Sequence, residues 1–250
     1  MIKFFRKIRQ QLLIENKFGK YLTYAIGEIV LVIIGILMAL QINNWNSDRI
    51  DRATVANYYK RIHSEIQEGI KTVESFTEKA KYIGSLNKRT LKVLASKNYD
   101  SIPVLKETLG ALGTSWTLDV NFPVTEEFLN QGYLSKVQND SVKLAFNYYV
   151  YSMKEIDIME KFTSSQYNDR IEPYIIKNLN YSEIALPLYR KGLIPGGTPT
   201  NFELLFNDLE LWNNVTLKME GITLDIKSYK KIIESLNKLD EQILRQLQQG

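Results

Sequence analysis

Hydrophobic positions follow two different patterns along this chain, and the first is an unbroken apolar run near the N-terminus. From residue 21 to residue 42 the run contains no Lys or Arg, and Glu28 is its only charged residue. At the rise of an α-helix, about 20 such residues cross a hydrocarbon core of roughly 30 Å. Because no A-x-A cleavage site follows, the run predicts an uncleaved transmembrane helix over residues 21–45 rather than a signal peptide.

The second pattern, apolar residues three or four positions apart, begins near residue 54 and is typical of helices that pack on other helices. It predicts long helices to about Ser96, over residues 141–167, and from about Trp212 to the end. The shorter helices predicted between them cover residues 102–112, 126–131, 170–179 and 201–211. The expected fold is all-α, a single N-terminal transmembrane helix followed by an exported helical bundle with long antiparallel first and last helices.

The last helix has the most regular apolar stripe of the chain. Its members are Val215, Met219, Ile222, Ile226, Tyr229, Ile233, Leu236, Ile243 and Leu247. Asp240 is the only interruption that we identify in this stripe. We therefore expect these positions to form the core face of the last helix.

A basic segment precedes the apolar run. Positive residues beside a span stay on the cytoplasmic side, so residues 1–20 are predicted inside and residues 46–250 outside. Apolar residues at helical spacing lie among Lys3, Arg6, Lys7 and Arg9. This arrangement suggests an amphipathic segment that contacts membrane lipids through apolar burial and attraction to anionic head groups. The alternative is a plain orientation signal without lipid specificity.

The net charge of +4 resides in this N-terminal part, because residues 41–250 carry 26 basic and 26 acidic residues. A neutral domain lacks the basic face that nucleic acid requires, so a nucleic-acid partner is not expected. The chain has no Cys, which excludes disulfides, thiolate catalysis and zinc–thiolate sites.

One face of the predicted transmembrane helix combines an acid with small residues. Its predicted packing residues are Ala25, Glu28, Val32, Gly35 and Ala39. Helices in lipid associate through close packing over small residues and through polar bonds, so this face predicts contact with another transmembrane subunit or a second copy of the chain. The alternative for Glu28 is a position near the inner interface, from which its carboxylate reaches the head groups.

No residue pattern indicates catalysis, and we predict no catalytic, cofactor-binding or metal-binding residues. His63 is the only histidine, so no second His or Cys completes a metal triad, and a surface position is the simpler interpretation. No G-x-S-x-G motif is present. Carboxylates at short helical spacing, such as Asp157 and Glu160, are interpreted as a solvated helix face.

Three short motifs carry a resemblance to a known family. They are FFRKIR at residues 4–9, AIGEIVLVIIGI at residues 25–36 and NNWN at residues 43–46. Together they resemble the start of a family of membrane proteins abundant in Bacteroidota, catalogued as domain of unknown function 6090. The resemblance implies a single-pass inner-membrane protein of a Gram-negative cell with a periplasmic helical domain, and it implies no activity.

Three function hypotheses follow, in decreasing order of preference. The first is a structural or interaction subunit of a cell-envelope complex, without catalysis. The second is a periplasmic ligand-binding or sensor-like domain coupled to the membrane helix, with a ligand in a tyrosine-lined pocket. The third is an enzyme, which would require a cleft with carboxylates of perturbed pKa.

Overall fold

The computed structural model describes residues 18–249, and within that range the chain is helical and contains no strand. The α-helices are α1 (Phe18–Ser96), α2 (Ile102–Thr108), α3 (Pro123–Asn130), α4 (Asp140–Gln166), α5 (Glu172–Asn178), α6 (Tyr181–Ile184), α7 (Pro187–Arg190), α8 (Phe202–Leu205) and α9 (Leu209–Gln249). A π-helical turn, Tyr167–Ile171, joins α4 to α5. The predicted all-α class is confirmed for this part of the chain. The basic residues Lys3, Arg6, Lys7 and Arg9 lie outside the described residues.

The first helix is continuous from Phe18 to Ser96, and its C-terminal end is where the sequence predicts it. No Gly or Pro occurs between residues 36 and 68, so nothing in the backbone interrupts the helix after Trp45. Lys97 follows with a φ of 51°. A residue in this left-handed region commonly ends a helix.

The chain divides into two compact units, residues 1–55 and residues 56–250. In the first unit, the described residues all belong to α1, and most of them are exposed. The second unit contains the rest of α1 and every other helix named here. The contacts given below for the core and the polar clusters belong to the second unit.

The second unit has a hydrophobic core where the C-terminal end of α1 meets α2, α5, α6, α8 and the start of α9. Its most deeply buried residues include Leu105, Leu109, Leu112, Ile184 and Leu211. Gly110 permits the close approach of two backbone segments, because a Cβ there would lie 2.2 Å from the carbonyl oxygen of Ile184. A larger residue at position 110 would therefore push the 184–186 backbone away.

Aromatic side chains form another part of the core, between α1, α3 and α4. Phe128 stacks on Phe146 with ring centroids 5.0 Å apart. Phe122 meets Tyr149 edge to face at 5.4 Å. A Cβ at Gly69 would lie 2.5 Å from the Phe122 ring, so this glycine in the middle of α1 makes the room that the ring occupies.

The buried side of α9 differs from the predicted stripe in its register. Val215, Ile222, Tyr229, Leu236 and Ile243 are buried as predicted. Between them, however, the buried positions include Asp225, Ile232 and Leu239, whereas the predicted Met219, Ile226 and Ile233 are only half-buried. The second set of core positions of α9 thus lies three residues after Val215, Ile222, Tyr229 and Leu236. Two residues of this set are charged, the half-buried Lys218 and the buried Asp225.

Helices α1 and α9 contact each other at two levels within the second unit. His63 Nδ1 lies 2.6 Å from Asp240 Oδ1. About six turns further along α1, a Cβ at Gly84 would lie 3.3 Å from Cγ2 of Ile222. Asp240, which interrupts the apolar stripe, is therefore buried with a partner from another helix.

Two helix starts differ from the predicted ones, and a distant carboxylate explains each. Helix α3 begins at Pro123 because Glu65 of α1 accepts from the backbone N–H groups of Val124 and Thr125. The single predicted helix over residues 201–211 is instead divided into α8 and α9. Asp208 Oδ1 accepts from the backbone N–H of Leu211 and so caps α9.

Candidate functional site

The first candidate site is the apolar segment of α1. This segment is strongly apolar, and none of it is buried within the described chain. Its large aliphatic side chains between Leu31 and Ile42 are 44–67% exposed. By length and composition it is the one described helix that can cross a membrane.

Within this segment, the structure exposes the predicted packing face. Val32, Gly35 and Ala39 are exposed, whereas Ala25 and Glu28 are half-buried. Apart from its own stretch of helix backbone, no atom of the described chain lies within 4 Å of a Cβ built at Gly35. Nothing in the described chain therefore fills the space over this glycine, and its predicted contact with another helix stays a prediction.

The second candidate site is a cluster of ionisable and aromatic side chains around α9. Lys218 Nζ donates to the carbonyl oxygen of Thr114 at 2.6 Å and lies 4.9 Å from the centroid of the Trp116 ring. The Trp116 indole N–H donates to the Tyr229 hydroxyl at 3.1 Å. Asp225, one heptad after Lys218, is 9% exposed and makes no hydrogen bond within residues 18–249.

The loop before α3 completes this cluster through Glu160 of α4. The Glu160 carboxylate accepts from the backbone N–H of Leu118 at 2.5 Å. The sequence interpretation of Glu160 as part of a solvated face is therefore wrong. The loop is held to α4 by Glu160 and to α9 by Trp116 and by the Thr114 carbonyl.

Burial shifts the proton equilibria of this cluster. Desolvation raises the pKa of Asp225 to about 6, although the nearby Lys218 charge lowers it and Glu160 raises it further. Desolvation also lowers the pKa of Lys218 to about 8, against the opposing effect of Asp225. The pKa of the half-buried Glu160 is raised by the same cause. Perturbed carboxylates and a perturbed amine in one cluster are a property of many functional sites and of some structural networks.

A second polar cluster, formed by His63, Gln67 and Asp240, joins α1 to α9. Asp240 accepts from Gln67 Nε2 at 2.8 Å and lies 2.6 Å from His63 Nδ1. The interpretation of His63 as a simple surface residue is therefore incomplete, since its ring is bound to a buried carboxylate. No group of three or more His, Cys, Asp or Glu side chains that could hold a metal ion occurs within residues 18–249.

Sequence reasoning missed the charged cluster for an identifiable reason. It placed the core face of α9 at apolar positions and so passed over Lys218 and Asp225. The sequence feature that could have revealed this cluster is the seven-residue spacing of Ile232 and Leu239. Extended backwards in steps of seven, this spacing reaches both charged residues, so a heptad traced from the apolar C-terminal half of α9 would have placed them in the core.

Comparisons with protein-family models, with curated proteins and with solved structures found no match for this chain. The resemblance of the N-terminal motifs to a membrane-protein family therefore stays a prediction.

Proposed function

We propose that this chain is a membrane-anchored interaction subunit of a cell-envelope complex, without catalysis. In this proposal α1 crosses the inner membrane once with the N-terminus in the cytoplasm, and residues 46–250 form a periplasmic helical domain. The face with Glu28, Gly35 and Ala39 contacts a transmembrane helix of another subunit or of a second copy. Residues 1–20 contact membrane lipids.

The observation that carries this proposal is the exposed apolar segment of α1. A stretch of exposed Leu, Ile and Val side chains on this scale is rare in water and marks a surface that meets lipid or a partner. The small residues Gly35 and Ala39 favour a partner helix on their side of the segment, because small residues let two backbones approach closely. The N-terminal resemblance favours the periplasmic orientation.

We also propose that the first and last helices run antiparallel in the second unit. The supporting contacts are His63 with Asp240 and Gly84 with Ile222. Position numbers rise along α1 while those of the partners on α9 fall. A stable two-helix scaffold of this kind presents its outer faces to a partner.

Affinity purification from native membranes tests the interaction. We expect the wild-type chain to retain a transmembrane partner or a second, differently tagged copy. Gly35→Leu should reduce that recovery at least several-fold, because the new side chain separates the helices. Gly27→Leu is the matched control, since Gly27 also has open space over its Cβ but lies off the packing face. Equal recovery with both variants would contradict the proposal.

Orientation is tested separately by single cysteines, because the natural chain has none. We expect a membrane-impermeant thiol reagent to label Asn237→Cys in intact spheroplasts and to leave Gln10→Cys unlabelled until the membrane is opened. Asn237 is exposed, unlike the neighbouring Asp240. Labelling of Gln10→Cys in intact spheroplasts would overturn the orientation.

The buried cluster at Asp225 favours a second candidate function, a sensor-like domain. A carboxyl whose pKa is about 6 changes its charge within an accessible pH range. Trp116 then reports on that charge, because it contacts both Lys218 and Tyr229. The measurement uses a chain in which Trp45 and Trp212 are replaced by Phe, so that Trp116 is its one tryptophan. A change in fluorescence that titrates near pH 6 and is lost in Asp225→Asn would support this function, and a fluorescence that is unchanged from pH 5 to pH 7 would contradict it.

A further inference from the structure

An open groove lies between the π-helical turn with α5 on one side and the start of α9 on the other. Its volume is about 600 Å³, which is within the range of small-molecule sites. The polar residues that line it are Asp169, Arg170, Lys177, Glu210, Asn213 and Asn214. None of these residues belongs to the charged cluster or to the membrane segment described above.

Asn214 distinguishes this groove from an ordinary surface depression. The residue is only 4% exposed, and its Nδ2 atom has no hydrogen-bond partner within residues 18–249. Buried amide groups are almost always paired, because an unmade hydrogen bond costs free energy. This unpaired donor belongs to a residue that lines the groove, so it is a group that an acceptor on a ligand can satisfy.

The walls of the groove carry charges of both signs, with Arg170, Lys177 and Asp169 on the π-helical turn and α5, and Glu210 on α9. Arg170 and Lys177, on the π-helical turn and α5, make no hydrogen bond or ion pair with any described residue. Glu210 lies on the opposite wall, one helical turn before Asn214. A ligand carboxylate can thus accept from Asn214 while facing two cations, and an adjacent ammonium can face Glu210.

The π-helical turn places Asp169 and Arg170 in the lining of the groove. The N–H of Glu172 donates to the carbonyl of Tyr167, a π-type bond, and Pro173 has no N–H to restore the α-helical pattern. Such turns occur often at functional sites. The turn carries Asp169 and Arg170, and Asp169 is held by the Ser165 hydroxyl at 2.6 Å.

We propose that this groove binds a small zwitterion of the amino-acid type. Its carboxylate lies against Asn214 and the wall of Arg170 and Lys177, and its ammonium lies against Glu210. The proposal goes beyond the role of an anchored interaction subunit and does not depend on it, because the groove is formed entirely within the second unit.

Thermal unfolding of the full chain in lipid nanodiscs tests the proposal. The probes are the twenty L-amino acids added singly, with acetate and methylamine as the separated carboxylate and ammonium. At a concentration about tenfold above Kd, we expect at least one amino acid to raise Tm by about 3–5 °C. We expect no such rise with acetate or methylamine. No rise with any amino acid, or an equal rise with acetate or methylamine alone, would overturn the proposal.

Two variants separate binding from folding. Asn214→Leu removes the unpaired donor at similar volume, so the ligand-free Tm should be unchanged or higher while the ligand-induced rise disappears. Asn87→Leu is the matched control, because Asn87 is also a buried amide with an unpaired atom but lies outside the groove. It should keep the full ligand-induced rise. A rise that survives in Asn214→Leu, or is lost equally in Asn87→Leu, would contradict the assignment.

Discussion

Replacing Asp225 by Asn should stabilise the protein relative to wild type near neutral pH. At acid pH the two proteins should have similar stability. Asp225 is buried on α9, lacks a hydrogen bond within residues 18–249, and has a pKa of about 6 instead of its ordinary 3.8. The folded state therefore binds a proton more tightly than the unfolded state does. Between about pH 3.8 and pH 6, the contribution of Asp225 to the free energy of unfolding of wild type therefore falls as pH rises.

The magnitude follows from the two pKa values. Their difference corresponds to about 3 kcal/mol, which is the cost of ionising Asp225 in the folded state. Below about pH 4 both proteins carry a neutral side chain and should have similar stability. Near pH 7 the Asn variant should exceed wild type by up to about 3 kcal/mol, or roughly 6–12 °C in Tm.

Far-UV circular dichroism of the full chain in nanodiscs, followed during heating at several pH values, measures this difference. Asp157→Asn is the matched control, because Asp157 is an exposed carboxylate of α4 that pairs with Lys161. Its effect should stay within about 0.5 kcal/mol at each pH. An Asp225→Asn effect that does not change between pH 4 and pH 7 would refute the reasoning.

Three further predictions concern the packing of the second unit, each measured as a change in the free energy of unfolding. Gly110→Ala should destabilise the second unit by about 2–3 kcal/mol, because the new Cβ would clash with the Ile184 carbonyl oxygen. Gly192→Ala is the control and should be nearly neutral, because its Cβ would make only an ordinary contact. Equal effects of the two changes would contradict the close approach at Gly110. Glu65→Gln should cost about 1–3 kcal/mol. One carboxylate oxygen of Glu65 accepts from both the N–H and the hydroxyl of Thr125, and the NH2 group of Gln cannot accept a hydrogen bond in its place. An unchanged stability would show that Glu65 does not hold the start of α3. Ile232→Asp should unfold the second unit by burying a charge, whereas Leu144→Asp, at a side chain that is 70% exposed, should be tolerated; the reverse order would refute the register of α9 and α4.

The long helices were predictable because their apolar spacing extends over many turns. The end of α1 at Ser96 and the start of α4 after Asn139 follow from local rules. Asn139 accepts from the N–H groups of Ser141 and Val142 and caps the helix as its side chain suggests. Such contacts lie within a few residues of sequence, so a single sequence contains them.

Features that depend on distant residues were not predictable from the sequence. The start of α3 depends on Glu65, about 60 residues away, and the burial of Asp240 depends on His63. One of the two sets of core positions on α9 was predicted one residue too late, at Met219 and Ile226, because the correct positions hold the charged Lys218 and Asp225. The groove at Asn214 could not be predicted from the sequence either, because its two walls come from separate helices.

The most direct test of the proposed interaction function is a crosslinking scan along the membrane segment. A photo-reactive amino acid is placed singly at residues 25, 28, 32, 35 and 39, and at residues 31, 34 and 38 on the opposite side of the helix. In native membranes we expect protein crosslinks at the first set of residues and lipid adducts at the second set. Protein crosslinks should therefore recur every three or four residues, as expected for one face of a helix. Protein crosslinks that are absent everywhere, or that occur equally on both sides, would show that the segment is only an anchor.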